Sequence, residues 1–381
     1  MNRLFLQFLI CFNLISSKGN GQNSLRGKYR EWIEDNDRVE VRSWYAETEV
    51  SLQQDWTFEF LGTIDAWSGA TPNGLPPNKA TLSNPNEWLN LVPEEIRKAG
   101  LFNIGKESSE YLFGLEYGIS DEPDYLSKSY AIKYSHKLAA DTLLLSSGFS
   151  FQDDSVKNFN GDFETKKTPS IAVGLTRILD KFTSISINFT YSYPSGYLSD
   201  PYKAIPVDER FAWAPDEIFL FEENRPEERE IIVFYTEISR YLESLELGTH
   251  FSYRYFQDDH DLSGHTLEFE FNRRIGDRWI WSPRYRYYTQ NQSSFYSSLT
   301  RKYESFMDSP NRFNGPFYSA DYRLSDFDSH TLGLKFTYLV VDDLKLDAGI
   351  DRYLTKGRDG KTNQKVYPEA NVFTVGLQWE Y

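Results

Sequence analysis

The sequence predicts an all-β protein, an antiparallel transmembrane β-barrel of about 16 strands, or 14 as the other even count, with short periplasmic turns and long extracellular loops. Three observations lead there. Apolar and polar residues alternate with period two in runs of 10–13 residues from one end of the chain to the other, which is the pattern of strands with one apolar face. Aromatic residues make up 17% of the 381 residues, with 26 Tyr, 28 Phe and 9 Trp, a composition that favours strands over helices. The connections between runs alternate tight and long. That is the asymmetry of outer-membrane barrels, and their strands need ~9–11 residues to cross a bilayer.

The N-terminal stretch is read first. Arg3 precedes an apolar run from Leu4 to Ile15, interrupted by Gln7 and Asn13, and small residues follow at Ser16, Ser17, Gly19 and Gly21. This run falls well short of the ~20 residues of a helical span. Its order of charge, apolar run and small residues is that of a secretory signal peptide, residues 1–21, cleaved near 19–22. The sole cysteine, Cys11, lies inside it, so the barrel domain, 22–381, depends on hydrogen bonding and burial rather than on disulfides. Ile10 before Cys11, with apolar residues beyond, argues against a lipoprotein box. A net charge of −15 gives no basic footprint for nucleic acid.

The strands then follow in order: 24–33, 38–50, 54–65, 95–105, 109–120, 128–138, 141–152, 167–178, 182–193, 229–241, 244–256, 263–273, 277–290, 329–341, 343–354 and 366–381. The first has the least regular pattern. The last is the clearest, because Phe373, Val375, Leu377, Trp379 and Tyr381 alternate with Thr374, Gly376, Gln378 and Glu380. Tight turns are expected at 53–55, 105–109, 139–141, 179–181, 243–244, 275–277 and 341–343. Long connections are expected at 66–94, 121–127, 153–166, 194–228, 257–262, 291–328 and 355–365.

If the apolar face meets lipid, the alternate residues line the lumen. The candidates are Glu268, Glu270, Arg254, Arg284, Arg286, Lys335 and Asp347, joined by Glu59, Asp65, Glu116, Lys133, Lys137, Glu246, Lys345 and Asp351. Both signs are present in similar number, which suits either a wall of internal ion pairs or a transverse field that selects solutes. A turn at 275–277 places Glu270 opposite Ile280 and Glu268 diagonal to Arg284. The loop 194–228 carries nine carboxylates against Lys203, Arg210 and Arg225, a net charge of −6, together with Phe211, Trp213, Phe219, Leu220 and Phe221. It reads as a folded lid over, or partly inside, the mouth, with divalent-cation bridging to lipopolysaccharide and an ordinary solvated surface loop as the alternatives. It would favour cations at low salt, since the Debye length is ~10 Å at 0.1 M.

The segments Asp65-Ala66-Trp67-Ser68-Gly69-Ala70-Thr71-Pro72, Arg284-Tyr285-Arg286-Tyr287-Tyr288-Thr289-Gln290 and Asp321-Tyr322-Arg323-Leu324-Ser325, with Leu332-Gly333-Leu334-Lys335, resemble a domain-of-unknown-function family of bacterial outer-membrane proteins. The resemblance is most specific in the C-terminal hundred residues and departs in loops 73–94 and 194–228. It implies an outer-membrane β-barrel and carries no activity or catalytic residue with it.

The residues point to a porin-like channel or transporter for small solutes in the outer membrane, with a structural or partner-scaffolding barrel of plugged lumen as the alternative. A hydrolase at the outer rim is a third reading. No Gly-x-Ser-x-Gly elbow occurs, and no Ser or acid is fixed near a His by a motif, except by the charge density of the run Asp258, Asp259, His260, Asp261 and His265. That run lacks the glycine and glutamate spacing of a calcium hand and any zinc spacing, so no metal and no cofactor is expected. The partners expected are outer-membrane lipid and lipopolysaccharide, a small-molecule solute, and the barrel-assembly machinery acting on Phe373 to Tyr381.

Overall fold

The computed structural model describes residues 23–67, 95–158, 161–200, 203–208, 218–297, 301–302 and 317–381. The signal-peptide reading and most of loop 66–94 lie outside them. Sixteen long strands close into an antiparallel barrel. They are β1 (Ser24–Glu34), β2 (Glu40–Ser51), β3 (Trp56–Trp67), β4 (Glu95–Glu107), β5 (Tyr111–Asp121), β6 (Tyr125–Leu138), β7 (Leu143–Lys157), β8 (Phe163–Asp180), β9 (Thr183–Ser192), β10 (Ile231–Leu242), β11 (Leu247–Asp258), β12 (Ser263–Ile275), β13 (Trp279–Gln290), β14 (Phe327–Val341), β15 (Leu344–Gly357) and β16 (Ala370–Glu380). Each expected strand is found. β1, despite its irregular pattern, closes the sheet by pairing with β16 from Ser24↔Glu380 to Glu34↔Ala370. Closure leaves no backbone edge facing lipid, where an unsatisfied N–H or C=O would cost several kcal/mol.

Alternation sets the two faces. Leu332, Phe336, Ile350, Phe373, Val375 and Ile171 all point outward and are exposed, Leu332 by 57%. Such a surface is tolerated only in lipid. Aromatic pairs collect towards the short-turn end of the outer face: Trp279 with Tyr338 at 4.7 Å, Trp379 with Tyr381 at 4.7 Å and Tyr111 with Tyr134 at 6.2 Å. This is where an interfacial girdle belongs. No helix among the described residues is long and apolar enough to cross a membrane; the crossing is made by strands.

Two expectations are corrected. The connections at 121–127, 153–166 and 257–262 are short, because β5, β6, β7, β8 and β11 run on further than expected and leave only 122–124, 158–162 and 259–262 between strands. The β12–β13 register also differs. Glu270 faces Arg284, Glu268 faces Arg286, and it is Arg274 that faces Ile280. The cause is Gly276, whose φ of 61° opens a three-residue turn over 276–278 and recentres the hairpin.

Candidate functional site

The buried side chains that form apolar clusters lie at the outer mouth. Tyr322, Phe327, Val366 and Tyr367 pack with Tyr288 in one cluster, and Leu262, Tyr296 and Leu324 pack with Phe256 and Phe295 in another. Both are built by the connection between β13 and β14 folding back onto the inner wall. Gln290, at the top of β13, donates to the carbonyls of Arg323 at 2.9 Å and Ser325 at 2.7 Å. Tyr318 and Asn224 exchange backbone hydrogen bonds of 2.8 and 3.0 Å, tying this connection to the one between β9 and β10.

A buried charge network lies where the two connections meet. Asp321 is 1% exposed and accepts from Arg225 at 2.9 Å and from Arg323 at 2.8 Å. Arg225 Nε also lies 2.5 Å from Glu223, which accepts from the Ser319 hydroxyl at 2.5 Å and from the Asp200 backbone at 2.5 Å. Arg323 extends to the Asp200 carboxylate, and Lys203, 1% exposed, lies among the same carboxylates. Burial of so many charges is tolerated only because each is matched. Burial by itself would raise the Asp321 carboxyl, but Arg323, Lys203 and Arg225 hold it far below the usual range. Burial pushes the Glu223 carboxyl up to about 7 against the opposing pull of Arg225.

The network reaches towards the far wall. The β5–β6 turn stands eight strands round the barrel from β13–β14, and burial raises the carboxyl of its Asp124, with the nearby charge of Asp200 adding to the shift. The outer mouth is therefore bridged by a strap in which the β13–β14 connection joins the β9–β10 connection through Asp321, Arg225, Arg323 and Asp200. On the near side, Arg38 donates to the carbonyls of Lys365 at 2.7 Å and Val366 at 2.9 Å while paired with Glu34 at 2.5 Å, clasping the β15–β16 connection to β1–β2. The sequence shows the two segments, 194–228 and Asp321-Tyr322-Arg323, but not their union. The available signal was the pair of opposite charges two apart, Glu223 with Arg225 and Asp321 with Arg323.

Below the strap, Glu268, Glu270, Arg254, Arg284, Arg286, Lys335 and Asp347 stand on the face opposite the exposed apolar residues, which in a closed barrel is the inner one. Several are paired across strands. Arg284 grips Asp351 with two hydrogen bonds of 2.9 and 2.6 Å, and Arg286 lies 4.0 Å from Glu268. Lys133 meets Glu116 at 2.6 Å, and Lys345 meets Glu380 at 3.1 Å. Gly333 makes the Arg284–Asp351 pair possible, since a Cβ there would lie 2.1 Å from Asp351 Oδ1 and 2.7 Å from Arg284 Cγ. Glu246 is an exception to the inner-face expectation: it sits in the β10–β11 turn with φ 50°.

Of the histidines, His265 differs from expectation in standing within strand β12 rather than in the loop run. Ser239 Oγ lies 3.0 Å from His250 Nδ1, and Glu237 lies 3.9 Å from His250 Nε2, so an acid and a serine do flank one histidine. All three stand on paired mid-sheet strands, Ser239 directly opposite His250, where backbone N–H groups are committed to the ladder and cannot form an oxyanion hole. His265 and His330 lie on the outer face, hydrogen-bonded through Nδ1 to Tyr253 and Tyr285, each at 2.8 Å. Asp258 pairs with Arg229 at 2.6 Å and accepts from the backbone of His260 at 3.0 Å and Leu262 at 2.9 Å, so it caps the β11–β12 turn.

These features define an outer-membrane antiparallel β-barrel with a strapped mouth. Solved structures of that class are similar to it in fold. A bacterial polysaccharide outer membrane secretin matches with a TM-score of 0.52 at 9% identity, covering 94% of this chain and 98% of that one. CdiB from Acinetobacter baumannii matches at 0.53 and 8%, covering 94% of this chain and 60% of that one. The chain belongs to the DUF3570 family, described as proteins of unknown function, whose profile matches residues 15–163 and 161–381. No curated protein matches it in sequence.

Proposed function

We propose that the barrel is a porin-like channel or transporter for small solutes, narrowed at its outer mouth by the strap. The observation that carries this is the state of the inner wall. Charged side chains at mid-height remain open to solvent, Lys133 by 57% and Arg284 by 42%, where a solid barrel would pack apolar side chains. A sheet of sixteen strands is wide enough to enclose an aqueous lumen. The acidic loop contributes less field than its net charge implies, because Asp200 and Glu223 are matched by Arg323 and Arg225. Conductance of the purified barrel in planar lipid bilayers tests the reading: a stable single-channel conductance is expected, and a folded but silent barrel would overturn it. The strap itself favours a second reading, a scaffold whose lumen is plugged and whose loops offer a binding surface. Loosening the strap separates the two, since a channel gains conductance and a scaffold stays silent. Lipopolysaccharide around the outer rim, and the barrel-assembly machinery acting on Phe373 to Tyr381, are the partners this reading calls for.

A further inference from the structure

We infer that Arg254 and Arg286, with Tyr288, form a seat for the oxyanion of a carboxylate or phosphate solute on the inner wall directly beneath the strap. The inference rests on the channel reading for its purpose, though not for its test.

The arrangement follows from register. Arg254 faces Thr266, and Thr266 faces Tyr288, so Arg254, Thr266 and Tyr288 form one row across β11, β12 and β13. Arg286 lies one inward-facing position along β13 from Tyr288, with its guanidinium 5.7 Å from the Tyr288 ring. Arg254 lies over the Phe256 ring at 5.5 Å, and the same ring receives Arg229 at 5.6 Å. Arg229 is neutralised by Asp258 at 2.6 Å. Arg254 differs: it is half-buried and has no ion pair with a carboxylate among the described residues, and its charged neighbour is Arg286. Arg286 in turn has, among the described residues, a single carboxylate within ion-pair range, Glu268 at 4.0 Å.

Three other cations on this wall are matched, Arg284 by Asp351, Lys133 by Glu116 and Lys345 by Glu380, while Lys335 stands alone without an ion pair among the described residues. The register places Arg254 and Arg286 on either side of Tyr288, near enough for like charges to repel, and a planar oxyanion between them removes that cost while accepting forked hydrogen bonds. The position gives the seat its use. Phe256 and Tyr288 are the inner-wall side chains on which the strap's two apolar clusters rest, so a solute passing the strap meets this pair first.

The test is binding of inorganic phosphate to the folded, detergent-solubilised barrel, followed by phosphorus NMR line broadening, with acetate as a competitor. Saturable binding relieved by acetate is expected, and Arg254→Gln should weaken it about tenfold, the loss of one charge-assisted contact. Arg284→Gln, which removes a cation already paired with Asp351, should change it little. Purified lipopolysaccharide should not compete, because the seat faces inward. No saturable binding, equal binding by Arg254→Gln, or displacement by lipopolysaccharide would each overturn the seat. A barrel that binds phosphate yet conducts no current would retain the seat and refute the channel; one that conducts but does not bind would do the reverse.

Discussion

Replacing Asp321 with asparagine isolates the charge that organises the strap. The amide is nearly isosteric and can still accept from the Arg323 backbone, which Asp321 Oδ1 does at 3.1 Å, so the local turn over 322–324 is retained. What is lost is the carboxylate facing Arg225 at 2.9 Å and Arg323 at 2.8 Å in a site 1% exposed. Removing one partner of a buried pair costs about 3–5 kcal/mol when the other charge is left uncompensated; here Arg225 keeps Glu223 and Arg323 keeps Asp200, so the low end of that range applies. At about 1.4 kcal/mol per decade, strap opening should become roughly 10² times more frequent. The barrel strands share no part in the network and should be unaffected. Hydrogen exchange read by mass spectrometry resolves the two. The amides of Leu324, bonded to Asp321 at 2.9 Å, and Ser325, bonded to Tyr322 at 3.0 Å, should lose protection in Asp321→Asn while β13 and β14 keep theirs. Unchanged strap exchange would show that the apolar clusters hold the strap unaided, and the account of the charge network would fail.

Further outcomes follow from other residues. Leu334, facing Ile350 on the outer face, should tolerate arginine badly, at about 2–4 kcal/mol near the midplane, while Lys335→Leu on the inner face should be mild; comparable urea midpoints for the two variants would mean the faces are misassigned. Gly333→Val should expel the Arg284–Asp351 pair, because even a Cβ would stand 2.1 Å from Asp351 Oδ1; retained structure at that pair in a crystal of the variant would refute the close approach. Glu223 has its carboxyl raised to about 7 by burial, so its folded form prefers the proton. Its contribution is complete below the ordinary carboxylate range and is lost as pH rises through about 7. Strap protection should therefore fall between pH 5 and pH 8, and the fall should vanish in Glu223→Gln; an identical pH profile in both would assign the dependence elsewhere. Asp321, held low, acts with the opposite sign, and its share is lost only in strong acid.

The strands were legible because period two is local and insistent: Leu332, Leu334 and Phe336 declare their face without help from any distant residue. Turn centres were less so. A single residue such as Gly276 can move a hairpin's register, and its φ of 61° is not written in the alternation. The strap was out of reach for another reason. Its bonds join Arg225 to Asp321, 96 positions apart, and Arg323 to Asp200, 123 apart, and no periodicity spans such distances. Likewise the inner-wall charges could be assigned to a face from sequence, but which were matched and which left over depended on cross-strand partners such as Asp351 for Arg284.

The seam between β1 and β16 bears on how such a molecule is made. Asn23 and Tyr381 exchange backbone hydrogen bonds of 3.0 and 2.9 Å, so the barrel's first and last strands are neighbours although nearly the whole described chain separates them. Until the last strand has been delivered, every intermediate is a curved sheet with two open edges, each able to recruit a foreign strand. Contacts of that sequence separation also form slowly. A nascent chain of this topology has to be kept from its neighbours until its first strand meets its last, and the aromatic C-terminal strand, arriving at the end, decides when that vulnerable interval is over.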